Sequence, residues 1–452
     1  MALACIASKR HNLIIMKLSI YTSVIPVAAR HSIIYNSLSG KFVVVKNHVF
    51  SLENFDIKQI EENYPFLFKQ LIEGGIILEE TEDEFELLKA RINKADNNSD
   101  SFILHINPTL DCNFRCWYCY EKHVVNSKMT LSTVNAVKIL ISRIISNPFI
   151  SFFDLGFFGG EPLFFFNHVA KNIIAYTREQ CVKFGKSLHI HFTSNGALLN
   201  NSIINFLSQS SCAFQITLDG AKESHDNTRF TKNYSGSFDI ITTNILKLVK
   251  AKIDVIVRVN YTGDNIDSVI SILDRFKECG YEYKKYLKFD FQRVWQDRKD
   301  RFDETEKKIN SIRDRFRKEG FMVLTNYLPH DVRQSCYGDK LNHVLINYNR
   351  DLFGCTARDF STSNRIGYIN QEGELIYEKE IVNRRNNSKL VKEVCRECRI
   401  APICGGGCKQ RAFETLDSEL CSFNYSEEDI DSIILDIFEY VYKDNVTKSN
   451  KC

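Results

Sequence analysis

Residues 111–120 read Asp-Cys-Asn-Phe-Arg-Cys-Trp-Tyr-Cys-Tyr and follow directly on an apolar, strand-like run, Phe102 to Leu110. Cys112, Cys116 and Cys119 therefore form a C-x3-C-x2-C cluster at the end of a strand. Three thiolates can hold three irons of a cubane [4Fe-4S] cluster, whereas a closed cluster takes four. The fourth iron is then open to a small molecule. A zinc knuckle, or three unrelated core cysteines, is the competing reading. Zinc sites prefer four ligands, and the spacing offers no fourth cysteine or histidine at zinc distance nearby.

Working outward, the texture from Ser101 is strand alternating with helix. The alternation predicts strands at Leu104–Leu110, Asp154–Phe158, His189–Thr193, Phe214–Leu218, Asp254–Asn260 and Lys288–Val294. Amphipathic helices are predicted at Ser132–Ile145, Asn167–Phe184, Ile203–Ser208, Ser237–Lys250, Asn265–Cys279 and Glu304–Lys318. Six β-α units imply a parallel sheet, either a partial barrel or an open doubly wound sheet. In both, ligands gather at the carboxyl ends of the strands. The first strand runs into Asp111-Cys112, the second into Gly159-Gly160-Glu161-Pro162 and the third into Ser194-Asn195-Gly196. The fourth ends at Asp219-Gly220, the fifth at Asn260 and the sixth near Gln292-Arg293. Every polar or glycine-rich motif falls at the same end of its strand, which favours a cluster over scattered structural cysteines.

On these motifs the chain, from about Leu104 to Leu324, resembles the radical S-adenosylmethionine (SAM) family. The resemblance implies an α/β fold, a partial (βα)6 barrel, in which SAM chelates the open iron through its amino nitrogen and carboxylate oxygen. Gly159, Gly160, Glu161 and Pro162 match the family's GGEP motif, with glycines for close backbone approach and Glu161 accepting from the SAM ammonium. Tyr118 stands at the family's aromatic position beside adenine, and Asn195 and Thr217 where ribose and methionyl groups are contacted. Arg229 closes an element similar to DG-x4-HD-x2-R. It is expected either to pair with the SAM carboxylate or to pin its loop through Asp226, with Arg258 a second candidate for the carboxylate. One electron passed into SAM would give a 5′-deoxyadenosyl radical that removes an unactivated hydrogen.

A second cysteine field lies downstream. Cys336 and Cys355 are followed by Cys395-x2-Cys398-x5-Cys404-x3-Cys408-x12-Cys421, with Gly405-Gly406-Gly407 before Cys408. This is similar to the seven-cysteine SPASM domain of peptide-modifying radical SAM enzymes. The likeness implies two auxiliary [4Fe-4S] clusters, one on Cys395, Cys398, Cys404 and Cys421, the other on Cys336, Cys355 and Cys408 with no fourth cysteine evident. Spacing alone also permits a zinc ribbon. Arg350 occupies the place, five residues before Cys355, where the pattern usually has glycine. Ten of the 15 cysteines fall in these two fields, and the isolated five (Cys5, Cys181, Cys212, Cys279, Cys452) read as incidental thiols.

The remaining sequence bounds the architecture. At 452 residues, 44% hydrophobic and 25% charged, the chain is too long for one ordinary core. A net charge of +3 gives no reason to expect nucleic acid, and no apolar run approaches the ~20 residues of a membrane helix. Met1 to Ile15 carries Lys9, Arg10 and a short apolar patch that Lys17, Arg30 and His31 soon interrupt, so an export signal is not favoured, and Met16 competes with Met1 as the start. Many thiols without an export signal point to a reducing cytoplasm. Ser32–Asn36, Lys41–Lys46, Val49–Leu52 and Ile76–Leu78 read as strands around helices Ile57–Tyr64 and Pro65–Glu73. They suggest a winged-helix-like α+β module that either grips a leader peptide as an added strand or caps the next domain. Ala90–Ser101 reads as a polar linker. The expected division is 1–100 for this module and linker, 101–325 for the radical SAM core, 326–425 for the cysteine-rich SPASM domain and 426–452 for a C-terminal helix. That last helix is expected to pack through Ile430, Ile433, Ile434, Ile437, Phe438 and Val441.

By this resemblance the function is a peptide maturase that oxidatively modifies or cross-links a ribosomally made precursor carrying a leader, fed by an electron donor such as ferredoxin or flavodoxin. An anaerobic sulfatase maturase forming formylglycine is the alternative. Such enzymes usually place an aspartate after the second SPASM cysteine, where this chain has Thr356. A non-catalytic metal scaffold is the third reading. Asp290, Gln292, Arg293 and Tyr261 are expected to face the substrate cavity, without any of them standing out as a catalytic base.

Overall fold

The structure is a computed structural model that describes residues 15–449, apart from 29, 48, 51–54, 98–99, 232, 234, 298–301, 325–335 and 417. Met1, Cys5 and Cys452, with most of the opening segment, lie outside the described residues, as do 51–52 of the predicted strand Val49–Leu52. Two compact units emerge. One comprises 99–325 and 342–379; the other comprises 1–98, 326–341 and 380–452.

The first unit is built on an 11-stranded mixed sheet. Its centre is the six predicted strands in sequence order: Ser101–Ile106, Phe152–Phe157, Ser187–Ser194, Ser211–Leu218, Asp254–Tyr261 and Leu287–Arg293. All five neighbouring pairs are parallel. The two outermost strands, Met322–Val323 and Leu375–Tyr377, do not pair with each other, so the barrel is open. His343–Ile346 adds in parallel to the first strand, and Asp351–Phe353, Arg365–Ile369 and Leu375–Tyr377 continue antiparallel.

Alternation drives this assembly. Along Asp254–Tyr261, Val255, Val257, Val259 and Tyr261 are buried while the residues between them are half-buried. Phe157, Phe192 and Phe214 stack across three strands at 4.8 and 5.0 Å, and Phe166 packs on Phe192 from outside. Each fully buried ring of this kind contributes roughly 1.5–3 kcal/mol of transfer free energy. Helices return the chain between strands. Leu131–Ile145 is capped by Thr130, whose hydroxyl accepts from the Thr133 amide, and Ala170–Phe184 is stopped by Gly185 at φ +64°. The predicted helix Asn265–Cys279 is broken into Ile266–Val269 and Ile272–Phe276.

The second unit holds a three-stranded antiparallel sheet of Thr22–Ala28, His31–Asn36 and Lys41–Lys46, and a short pair of Met16–Leu18 with Ile77–Glu79. Thr22–Ala28 and Met16–Leu18 were not expected, and Val49 lies in a turn. The linker expected from Ala90 is instead the end of a helix, Glu84–Asp96, because Leu88 and Ile92 bury one of its faces. The C-terminal helix Glu427–Ser449 sets Ile430, Ile433, Ile434 and Ile437 against Ile25, Ile33 and Tyr35 of the sheet. Among the described residues no helix is long and apolar enough to cross a membrane.

Candidate functional site

Cys112 enters on the extension of the first parallel strand, in a loop fixed by its neighbours. Asp111 Oδ1 accepts from the Cys112 amide at 2.8 Å and Oδ2 from the Asn126 amide at 3.0 Å. Arg115 donates to the carbonyls of Cys112 and Phe114 at 2.8 and 2.7 Å. The Phe114 amide and Asn195 Nδ2 both point at Cys112 Sγ, at 3.4 and 3.8 Å. Cys112 is buried, Cys116 half-buried and Cys119 exposed. Burial pushes the Cys112 thiol up to about 12, helped by Glu161, and the Cys119 thiol to about 11. Thiols in that state become good ligands only when a bound cation favours the thiolate.

Gly159-Gly160 lies against the tail of the first strand. A Cβ on Gly159, at φ +94°, would meet the Thr109 carbonyl at 2.4 Å, and one on Gly160 the Asp111 carbonyl at 2.3 Å. The close approach these glycines permit is thus to the loop that carries Cys112. Pro162 beside them is buried. Glu161 is fully buried: Oε1 accepts from Ser194 Oγ (2.8 Å) and the Leu163 amide (3.0 Å), Oε2 from the Asn195 amide (2.8 Å). A carboxylate offers about four acceptor positions, so one remains. Burial raises the Glu161 carboxyl above its ordinary value despite these bonds.

Asp219 and Arg229 complete the rim. Tyr118 donates its hydroxyl hydrogen to Asp219, and Arg229 Nη1 donates to the same Tyr118 oxygen at 2.7 Å. Burial pushes Asp219 up to about 6 against the pull of Arg229. The alternative in which Arg229 pins its loop through Asp226 is overturned. Asp226 instead accepts from the amides of Ser237 and Phe238 and from Lys222. Thr217 lies two residues before Asp219, in register with Arg258. Arg258 itself is paired with Asp290 at 3.4 Å, and Gln292 also bonds Asp290. Tyr261 does not face the cavity: it is buried and its hydroxyl reaches Glu306 of the helix Phe302–Lys318 at 3.0 Å. It lies three positions beyond Arg258 along the strand, and that odd offset sends the two to opposite faces.

Two residues went unread. Glu121 has its Oε2 buried without a partner, and burial, then Glu161, pushes its carboxyl up to about 8. His123 brings Nε2 to 3.7 Å from Cys119 Sγ. A single carboxylate or imidazole after a cysteine has no spacing signature, although His123, at i+4 from Cys119, was within reach of the zinc argument.

The residues fit a polar ligand on an iron-sulfur cluster better than a single metal ion. Asn107 Oδ1, Glu121 Oε2, Asp219 Oδ1 and Arg229 Nε are all buried without partners. Buried polar atoms of that kind cost about 1–3 kcal/mol each unless something satisfies them. Among the described residues, no three cysteine sulfurs lie within 4.8 Å of one another, and a cubane holds its thiolates farther apart than one ion does.

The second field is local. Cys395, Cys398, Cys404 and Cys421 come from 27 residues of one unit: burial pushes Cys404 up to about 12 and Cys395 to about 11, with Cys398 and Cys421 adding to both. Gly405, Gly406 and Gly407 all take positive φ, and a Cβ on Gly406 would meet the Leu390 amide nitrogen at 2.6 Å. Cys408 caps the helix Lys409–Glu414, and Asp339, in the turn after Cys336, accepts from the Lys409 amide at 2.7 Å. Cys355 follows the strand Asp351–Phe353 in the sheet unit, with its sulfur accepting from the Ala357 amide. No disulfide forms among the described residues.

Comparison with known proteins bears on the family and the fold. Residues 106–276 match the model of the Radical SAM superfamily. The chain is 22% identical over 367 residues to a cysteine-type anaerobic sulfatase-maturating enzyme of Clostridium novyi, spanning 75% of this chain and 93% of that one. Its fold is similar to native anSMEcpe with bound AdoMet, at TM-score 0.57 and 18% identity, covering 77% of this chain and 99% of that chain. It is also similar to Streptococcus suis SuiB bound to precursor peptide SuiA, at TM-score 0.50 and 14% identity, covering 88% and 96%.

Proposed function

Starting from the radical SAM domain that this chain carries, we propose that it is a radical SAM/SPASM maturase acting on a ribosomally made peptide. The observation that carries the proposal is the gathering of three thiols and four unpartnered buried polar atoms at the carboxyl ends of one parallel sheet. Cys112, Cys116 and Cys119 would hold the cluster, leaving one iron for SAM. When bound, cluster and SAM supply the 5′-deoxyadenosyl radical, the hard chemistry that a protein cannot provide itself. The chain contributes position and dryness. Glu161 keeps one acceptor site for an ammonium, Arg229 offers a buried cation for a carboxylate, and Asn195, Thr217 and Tyr118 line the approach.

Cys395, Cys398, Cys404 and Cys421 would hold an auxiliary [4Fe-4S] cluster, and Cys336, Cys355 and Cys408 a second. Such clusters can take the electron left over when a hydrogen atom is removed and a new bond closes. The substrate class is supported by SuiB, a similar fold seen bound to its precursor peptide SuiA. The three-stranded sheet ends in two edge strands, Thr22–Ala28 and Lys41–Lys46, to which an extended leader can add. A ferredoxin or flavodoxin in a reducing cytoplasm would supply the electron.

The length shared with the Clostridium novyi enzyme favours the second reading, a sulfatase maturase. Against it, Thr356 stands where an aspartate is expected, and its carbonyl accepts from the Tyr120 hydroxyl at 3.0 Å. Mass spectrometry of a precursor encoded beside this gene, co-expressed with and without the protein, tests the choice. A loss of two hydrogens or a new cross-link supports the peptide maturase. An unchanged precursor, together with formylglycine on a sulfatase peptide, overturns it.

A further inference from the structure

Four histidines and an aspartate cluster on the sheet face away from the helices, below the strand ends. Phe192 points toward the helix layer, so His189 and His191, at odd offsets from it, point the other way. Asp154 sits in register with His189, while Gly156 is in register with both His191 and His105. His189 Nδ1 and His191 Nδ1 lie 3.1 and 3.0 Å from Asp154 Oδ1. His191 Nε2 meets His105 Nε2 at 3.1 Å, and His105 Nδ1 meets His343 Nε2 at 3.0 Å.

Gly156 makes the cluster possible. A Cβ there would lie 2.4 Å from His191 Nε2 and 2.6 Å from His105 Cδ2. No ordinary side chain fits at the centre of this strand while both imidazoles are present.

We propose that Asp154, His189 and His191 form a mononuclear site for a divalent first-row transition metal, separate from the cysteine sites. One ligand atom from each lies within 4.8 Å of the others. Tetrahedral ligands about 2.0–2.1 Å from zinc stand roughly 3.3 Å apart, close to the 3.0 and 3.1 Å between the carboxylate and each imidazole. Two imidazoles and one carboxylate are a donor set for zinc or ferrous iron with positions left open. The three side chains keep 21–30% of their surface, so solvent or a small ligand can take an open position. His105 and His343 supply the outer support such sites use: with the metal on His191 Nδ1, its Nε2–H donates to His105, which donates in turn to His343.

The test is zinc retention by anaerobically purified protein with its clusters intact, after equilibration with zinc chloride and desalting. Wild type is expected to keep one zinc per chain more than the His189→Gln/His191→Gln double variant, with zinc affinity at least about 100-fold apart. Zinc on cysteines would be equal in both and cancels, so this result is independent of the proposed reaction. Equal zinc in the two proteins overturns the site. Should the double variant not fold, the zinc-edge anomalous map of wild-type crystals decides: a peak bounded by Asp154, His189 and His191 supports the site, and none overturns it.

Discussion

The Cys112 site and the Cys395–Cys421 quartet are both cysteine-rich, but they are built in opposite ways. The first takes its three sulfurs from eight residues and everything else from far along the chain: Glu161, Asn195, Asp219 and Arg229 arrive on four different strand ends or loops. Parallel register is what assembles it. The second takes all four thiols from one short tract of small helices and left-handed glycines. A site assembled by a sheet is sensitive to changes anywhere along the sheet ends, whereas a chain-local site responds to its own turns.

The largest expected effect separates the two by chemistry. Cys116→Ala should lower SAM cleavage, read as 5′-deoxyadenosine, by at least about 1,000-fold, about 4 kcal/mol of barrier. Cys398→Ala should leave cleavage within about 3-fold while lowering modified peptide by at least about 100-fold. Equal loss of cleavage in both variants would erase the distinction, and iron counts on each protein check which cluster is missing.

Backbone strain comes next. Gly159→Ala places a Cβ on the Thr109 carbonyl in a left-handed conformation, and should destabilise the sheet unit by about 3 kcal/mol. Gly406→Ala, at φ +78° with the Leu390 amide at 2.6 Å, should cost the other unit about 2 kcal/mol and leave the sheet unit's transition in place. Urea unfolding followed by hydrogen exchange resolves the two. A single shared loss in both variants would show that the units are not independent.

One group of the sheet site, His225, should respond to acid in a way the other unit cannot. His225 is fully buried, accepts from the Asp219 amide and meets Ser237 Oγ at 3.0 Å. Burial, then Arg229, lowers its pKa from 6.5 to about 3. Its folded value lies below the unfolded one, so the unfolded chain binds the proton first and stability falls as pH drops below about 6.5. Between pH 7 and 5 the loss is about 2 kcal/mol. Residues 380–452 contain no histidine. Asp219 and Glu121, whose carboxyls burial raises to about 6 and about 8, act in the opposite sense over that range, so the test is a difference: between pH 7 and 5 wild type should lose about 2 kcal/mol of protection around Asp219 relative to His225→Gln, with no such difference around Cys404.

These contrasts also explain what the sequence disclosed. Residues such as Val255, Val257 and Val259 alternate cleanly, so the six strands were legible, and with them the end of the sheet where Cys112, Glu161 and Asn195 meet. Register was not. Nothing local says that Asp154 faces His189 or that Gly156 leaves room for His105 and His191, because those pairings exist only once the strands are laid side by side. Its place after the fifth strand suggests the cavity for Tyr261, whereas strand parity turns it to the other face. Pro26 and the short run at Met16 hid two strands, and a cysteine-based boundary at 326 could not show that His343–Ile346 extends the main sheet. The spacing of thiols names ligands without naming the framework that carries them.

The smallest effect tests one departure from pattern. Arg350, where glycine is usual, holds φ +77°, and its guanidinium bonds Ser132 Oγ at 2.7 Å and Thr133 Oγ1 at 3.3 Å. A non-glycine residue in that region pays roughly 1 kcal/mol, and two side-chain hydrogen bonds of about 0.5–1 kcal/mol each offset it. Arg350→Gly should therefore change stability of the sheet unit by less than about 0.5 kcal/mol, since strain and bonds vanish together. Arg350→Ala keeps the strain and loses the bonds, and should cost about 1 kcal/mol. Equal behaviour of the two variants in thermal unfolding would mean that the left-handed backbone carries no strain here, and an Arg350→Ala variant as stable as wild type would mean that the guanidinium contributes nothing, leaving the turn before Cys355 held by the strands on either side of it.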